Sequence, residues 1–253
     1  MSTSTNKALD IIELLSQRPR GPRELGEALD VHRSTIVRLL HSMESRGFVR
    51  RMPDGTWGVG FHLVAIGQRA LDGIDLRTVA RPSLEELSDD LGHTIHLAAL
   101  VGSDVVYVDK IEGLGAVRMQ SRVGAKALAH TAGVAKAILA FAPEKVQDAA
   151  IANCGFERFT RTTITDEAGL RAEFARIRER GWAVDDGEAE DYINCIAVPV
   201  FGMDGSVQGG ISVTAVKSLA ALTVLEREMP KLRAVGERIS HELGATAPYP
   251  ATA

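Results

Sequence analysis

"DVHRSTIVRLLHSMESRGFVRR", residues 30–51, sets Arg33, Arg38, Arg46, Arg50 and Arg51 against Asp30 and Glu44, in a chain whose formal net charge is −4. A charge run is ordinarily a solvated helix face, so the spacing of the other residues has to decide. Ile36, Leu39, Leu40 and Met43 recur at helical period, and Gly47 ends the run. Upstream, "NKALDIIELLSQ" (6–17) carries an apolar stripe of Ala8, Ile11, Ile12, Leu14 and Leu15, with Asn6 as its expected N-cap. "PRELGEALD" (22–30) starts on Pro22 and repeats Leu25 and Leu29 at i, i+4. Downstream, "FVRRMPDGTWGVG" (48–60) reads as two short extended runs joined at Pro53-Asp54-Gly55, with Trp57 packed beneath the hairpin.

Two helices joined at a tight corner and followed by a hairpin form a winged helix-turn-helix. That geometry lays the second helix in the major groove of double-stranded DNA and the wing beside the backbone. His32, Arg33, Ser34 and Thr35 fall in the first turn of the second helix, where side chains reach base edges. Arg38 lies one turn further on, within reach of a base or a phosphate. Arg50 and Arg51 enter the wing, where phosphate contact is expected. The competing interpretation is a structural three-helix module with a protein-facing basic surface.

The charge is divided to match. Residues 1–60 carry nine Lys/Arg and seven Asp/Glu, a net of +2, which leaves −6 for the remainder. A basic head on an acidic body restricts contact with a polyanion to the head. At 45% hydrophobic and with mean hydropathy near zero, the composition is that of a globular protein. No apolar run is long enough for a bilayer span, and the opening "MSTSTNKALD" lacks a signal-peptide stretch. Cys154 and Cys195 form neither a disulfide framework nor a metal spacing. A cytoplasmic protein with reduced thiols and no cofactor is expected.

After the head, "FHLVAIGQRALDG" (61–73) is amphipathic and suits a linker helix. Helical pattern continues through "DLRTVARPSLEELSDDLG", with an interruption expected at Pro82. Extended runs follow at "HTIHLAAL", "DVVYVDKIEG" and "VRMQSRVG", then a helix in "HTAGVAKAILAF". A second helix in "TITDEAGLRAEFARIRERG" stops at Gly181, and three apolar strands follow: "WAVDD", "INCIAVPVF" and "VQGGISVTAV". A last helix with Pro230 as start or kink precedes "ATAPYPATA", read as a frayed tail. Helices flanking a mostly antiparallel sheet make an α+β body. The expected division is 1–60 winged helix-turn-helix, 61–74 linker helix, 75–247 effector-binding domain and 248–253 flexible tail.

"KALDIIELL", "RSTIVRLLHSMESRGFVRR" and "DGTWGVG" resemble the DNA-binding module of the isocitrate lyase regulator (IclR) family of bacterial transcription factors. "VVYVDKIEG", "TITDEAGLRAEFARIRERGWAVDD" and "NCIAVPVF" resemble the same family's GAF-like effector-binding domain, so the likeness covers nearly the whole chain. The resemblance implies a homodimer on an inverted-repeat operator, its assembly into a dimer of dimers, and a pocket for a small-molecule effector. Carried over by position, Met119 and Ala127 line the pocket's apolar side, while Gly133 and Val134 offer helix-start amides to an anionic group. Asp185, Cys195, Ser212 and Thr214 supply an acceptor, a thiol and two hydroxyls. Three departures bear on the ligand. Ala127 is smaller than the family's usual residue, Ala135 replaces a Gly before Lys136, and Tyr192 stands where Gly is common, able to project its ring towards the ligand. They imply an effector larger than a two- or three-carbon acid, an aromatic acid among the candidates.

Other readings of the same residues are weaker. Cys195 lacks any surrounding catalytic signature. His93 and His96, three apart on a strand, point to opposite faces rather than to one metal. "GLGAVRMQSRVGAK" does not end in the Gly-Lys-Ser/Thr of a phosphate loop. The expectation is a non-enzymatic, ligand-responsive transcriptional regulator, a repressor by the commoner family mode. The alternative is a small-molecule-binding protein or enzyme with a vestigial DNA-binding module.

Overall fold

The structure, a computed structural model, describes residues 4–72, 75–113, 119 and 121–250, with side chains from 67 to 72 excepted. The chain forms two compact units, residues 1–74 and 75–253.

The first unit contains α1 (Ser4–Gln17), α2 (Pro22–Leu29), α3 (Arg33–Glu44), β1 (Val49–Arg51), β2 (Trp57–Val59) and α4 (Phe61–Asp72). Its core is built from Ile11 and Leu15 of α1, Leu25 of α2, Ile36, Leu40 and Met43 of α3, and Val49 and Trp57 of the wing. These are the inward positions of the helical stripes, removed from water while the charged residues between them stay solvated. α1 begins two residues before Asn6, so Asn6 lies inside the helix rather than at its cap. The corner between α2 and α3 depends on backbone more than side chains. Asp30 takes a left-handed conformation at φ 50°. A Cβ on Gly26 would stand 2.7 Å from the Val31 carbonyl oxygen. In the wing, β1 and β2 pair antiparallel, Arg51 opposite Trp57, and the Asp54 carboxylate accepts the Thr56 amide at 2.9 Å to fasten the turn. Trp57 is buried, edge-on to His41.

The second unit is built on a five-stranded antiparallel sheet in the order β4-β3-β7-β6-β5. The strands are β3 (Thr94–Val101), β4 (Asp104–Ile111), β5 (Ala183–Asp186), β6 (Ile193–Phe201) and β7 (Val207–Val216). Both faces are covered, which explains why β6 and β7 read as continuous apolar runs. Ile196, Val198 and Val200 of β6 pack with α5 (Leu76–Leu91), α9 (Leu222–Arg227) and α10 (Met229–Glu242). The alternate residues Cys195 and Ala197 face α6 (Gly133–Phe141), α7 (Glu144–Ala152) and α8 (Glu167–Arg180). Asp75 caps α5, and left-handed Gly92 and Gly181 end α5 and α8.

Three expectations are corrected. Pro82 does not interrupt α5, which runs unbroken through it. The extended run expected at 117–124 is not formed where it is described: 123 and 124 are in a turn, while 117, 118 and 120 lie outside the described residues. The tail is not frayed at 248–250. The Tyr249 hydroxyl donates to the Pro199 carbonyl, and its ring meets Phe201 edge-on at 5.8 Å. Residues 251–253 lie outside the described residues.

Gly26→Ala is expected to lower the stability of the head by about 1–3 kcal/mol in urea unfolding. The backbone oxygen it would strike cannot move without opening the corner, and this outweighs the roughly 1 kcal/mol gained in helix propensity.

Candidate DNA face and ligand cavity

On α3, His32 is the N-cap: its Nδ1 accepts the Ser34 amide at 3.4 Å and lies 2.8 Å from the Ser34 hydroxyl. His32, Arg33, Ser34 and Arg38 are exposed and Thr35 is half-buried, while Ile36 and Leu40 anchor the opposite face. Neighbouring arginines are neutralised inside the unit. Arg20 meets Glu24 at 2.8 Å, Arg18 pairs with the same carboxylate, and Arg23 meets Glu27 at 2.9 Å. No described carboxylate pairs with Arg33, Arg38 or Arg51, so α3 and the wing present uncompensated positive charge. Arg50 is more engaged than its neighbour. Its Nε donates to the Val59 carbonyl at 3.3 Å, and its guanidinium lies 4.7 Å from the Phe61 ring centre.

The second unit contains a cavity of about 390 Å³ between the sheet and the start of α6. Strand register assembles its polar floor. Asp185 of β5 stands opposite Cys195 of β6, and Cys195 opposite Thr214 of β7. Ser212, two residues from Thr214 and on the same face, stands opposite His96 of β3. Met119, Ala127, Val134 and Ile193 supply apolar wall, and Leu128 and Phe159, both well exposed, also line it.

α6 starts on this floor without a side-chain cap, leaving its first-turn amides without intrahelical partners. Gly133 is required by the close approach: a Cβ there would be 3.0 Å from Cys195 Sγ and 3.4 Å from the Asp185 amide nitrogen. The helix is held from behind by a buried ion pair, Lys136 Nζ lying 2.5 Å from both carboxylate oxygens of Glu188. Asp185 Oδ1 in turn accepts the Glu188 amide at 2.7 Å.

Burial governs the titration of these groups. It pushes Asp185 up to about 6 and Glu188 up to about 7, with the Lys136 ammonium opposing both shifts. Burial also pushes His96 down to about 3, aided by Lys110, so the ring is neutral between Ser121 Oγ at 2.8 Å and Thr214 Oγ1 at 3.2 Å. The Cys195 thiol is pushed up to about 12 by burial and the neighbouring Asp185, which leaves it a hydrogen-bonding thiol rather than a nucleophile.

The cavity brings together Met119, Ala127, Gly133, Val134, Asp185, Cys195, Ser212 and Thr214. Tyr192 is the exception, and its expected projection towards the ligand is corrected. Tyr192 lies in the turn that precedes β6 rather than on the strand, where it is 45% exposed and lines a groove with Lys217. Ala135 is buried in the core and does not line the cavity. His96, Tyr107, Ser121, Phe159 and Glu190 line it and were not anticipated. Among them only His96, a polar residue on an apolar strand, carries a signal in the sequence. Among the described residues no cluster suits a metal, and no helix is long and apolar enough to cross a membrane.

A winged helix-turn-helix joined in one chain to a cavity-bearing α+β unit defines a one-component, DNA-binding regulator. The comparisons agree. Residues 68–241 match the family described as "Bacterial transcriptional regulator IclR C-terminal", and residues 4–53 match "IclR helix-turn-helix domain". The HTH-type transcriptional regulator XynR of Escherichia coli K12 is 30% identical, the match covering 98% of each chain. The DNA-binding transcriptional repressor YiaJ of the same organism is 31% identical over 97% of this chain and 89% of its own. The crystal structure of Thermotoga maritima IclR superposes with a TM-score of 0.63 at 31% identity, covering 95% of this chain and 98% of that one. The chain belongs to the IclR family, and it is a DNA-binding transcriptional regulator rather than an enzyme.

Because Lys136 is fully buried, Glu188→Ala should destabilise the second unit by about 3–5 kcal/mol through the uncompensated ammonium. Lys136→Met combined with Glu188→Leu should restore most of that loss in urea unfolding.

Proposed function

We propose that this regulator is a cytoplasmic repressor of a neighbouring catabolic operon, released from or held on its operator by a small organic acid. The observation that carries this reading is the pairing of uncompensated arginines on α3 and the wing with a cavity whose floor meets an uncapped helix start. In this reading residues 1–60 bind DNA, 61–74 link, and 75–250 sense, the ordered segment to Tyr249 being included with the sensing unit.

Arg33 reads base edges from the first turn of α3, with His32, Ser34 and Thr35 beside it. Arg38 and Arg51 meet phosphates, and Arg50 combines a phosphate contact with its support of the wing. A single recognition helix spans too few base pairs to be selective, so the working form is a homodimer on an inverted repeat, assembled further as a dimer of dimers.

The effector's acid group lies at the α6 amides, and its remainder faces Ala127, Val134 and Phe159. The cavity volume, the small Ala127 and the aromatic Phe159 favour an acid larger than a two- or three-carbon one, aromatic acids included. Tyr192 lends no support to that preference. The effector controls DNA binding by having different affinity for two arrangements of the dimer.

Arg33→Ala should weaken binding to the selected operator by about 1–3 kcal/mol and relax base preference, whereas Arg51→Ala should weaken all sequences alike and reduce the salt slope by about 1. Titration of labelled duplexes at several salt concentrations checks both. Unchanged affinity and preference in Arg33→Ala would remove α3 from the recognition role.

A further inference from the structure

We propose that a carboxylic acid enters the cavity together with one proton, which it then shares with Asp185. The inference rests on the ligand reading above and adds the protonation state in which the cavity accepts its effector.

The geometry sets two anions against one another. A carboxylate accepting from the first-turn amides of α6 must lie beside Asp185, because a Cβ on Gly133 would already be 3.6 Å from the Asp185 Cβ. Asp185 is 7% exposed and lines the cavity. Its Oδ1 is engaged by the Glu188 amide, and no described residue donates to Oδ2. Two carboxylates at that separation, shielded from water, cannot both remain ionised. A proton between them turns the repulsion into a hydrogen bond, with one acid donating and the other accepting.

The surrounding groups do not neutralise the pair by other means. Lys136, from α6, is committed to both oxygens of Glu188 at 2.5 Å, and Lys217, beyond β7, is committed to Asp186 at 2.8 Å. Lys126 on the rim pairs with Asp104 at 2.6 Å. Cys195 from β6 and Tyr107 from β4 are neutral, since burial raises both. Glu190 adds negative charge from the loop before β6, and its Oε1 is buried without a partner. His96 from β3 is held neutral by burial and has no proton to give. The proton therefore comes from solvent, and burial has already raised Asp185 to about 6, so the cost of protonating it near neutrality is small.

Linkage gives the pH dependence its sign. Below about pH 6 the free cavity already carries the proton, and affinity for an acid anion is level. Above it, each pH unit should weaken the apparent affinity about tenfold. A primary amide of the same shape brings its own donor hydrogens and should bind without this slope.

The test is isothermal titration calorimetry of the full chain with hexanoate, benzoate and benzamide at pH 8, in two buffers of different ionisation enthalpy. The expected result is uptake of about one proton per bound acid and none for benzamide. Asp185→Asn should bind the acids more tightly than the wild type at pH 8 and lose the slope between pH 6 and 8, because its amide donates permanently. Acid binding in wild type without proton uptake would overturn the proposal, and so would uptake that persists in Asp185→Asn. If no probe binds the wild type at pH 6 either, the ligand reading of the cavity itself fails, and the proposal with it.

Discussion

The second unit depends on one constraint: α6 must start directly on the sheet, with no side chain between its first turn and the floor of β5, β6 and β7. Gly133 permits the approach, since a Cβ in its place would stand 3.0 Å from the Cys195 thiol. That contact leaves uncapped amides facing a row of acceptors and donors, Asp185, Cys195 and Thr214, aligned by strand register. Buried polar groups need partners. Behind the helix Lys136 and Glu188 partner one another, while in front of it the start of α6 lines the cavity. The close approach that leaves the helix start uncapped is the feature on which the proposed ligand site rests.

Charge is organised by the same principle of partnership. In the first unit Arg18, Arg20 and Arg23 are consumed by Glu24 and Glu27, so they contribute little net field. Arg33, Arg38 and Arg51 have no such partners among the described residues, and they sit on the helix and wing that the fold directs outward. The acidic excess lies in the second unit, where like charge keeps a polyanion from binding in the wrong place.

Much of this was legible in the residues because it is local. The apolar period of 32–51, the Pro-Asp-Gly turn and the left-handed glycines each depend on neighbours a few positions away. The floor of the cavity was partly legible through strand alternation, which places Ser212 and Thr214 on one face of β7. What escaped depends on long-range register. His96 joins the site through Thr214, 118 positions along the chain, and no periodicity announces that pairing. Tyr249 is held by Pro199, 50 positions back, which a Pro- and Ala-rich tail does not suggest. Tyr192 escaped for a different reason: it lies in the turn just before β6, so the alternation that orients Cys195 does not fix where its ring points.

The proposed regulator requires an acid in the cavity and DNA on α3 to bias one equilibrium. The most direct measurement is the affinity of the intact protein for a cavity-binding acid, with and without a saturating DNA duplex selected by the protein from random sequence. Thermodynamic reciprocity requires the duplex to change acid affinity by the same factor by which the acid changes duplex affinity. The account predicts equal factors, each of at least about fivefold. Acid affinity that is identical with and without the duplex would contradict it.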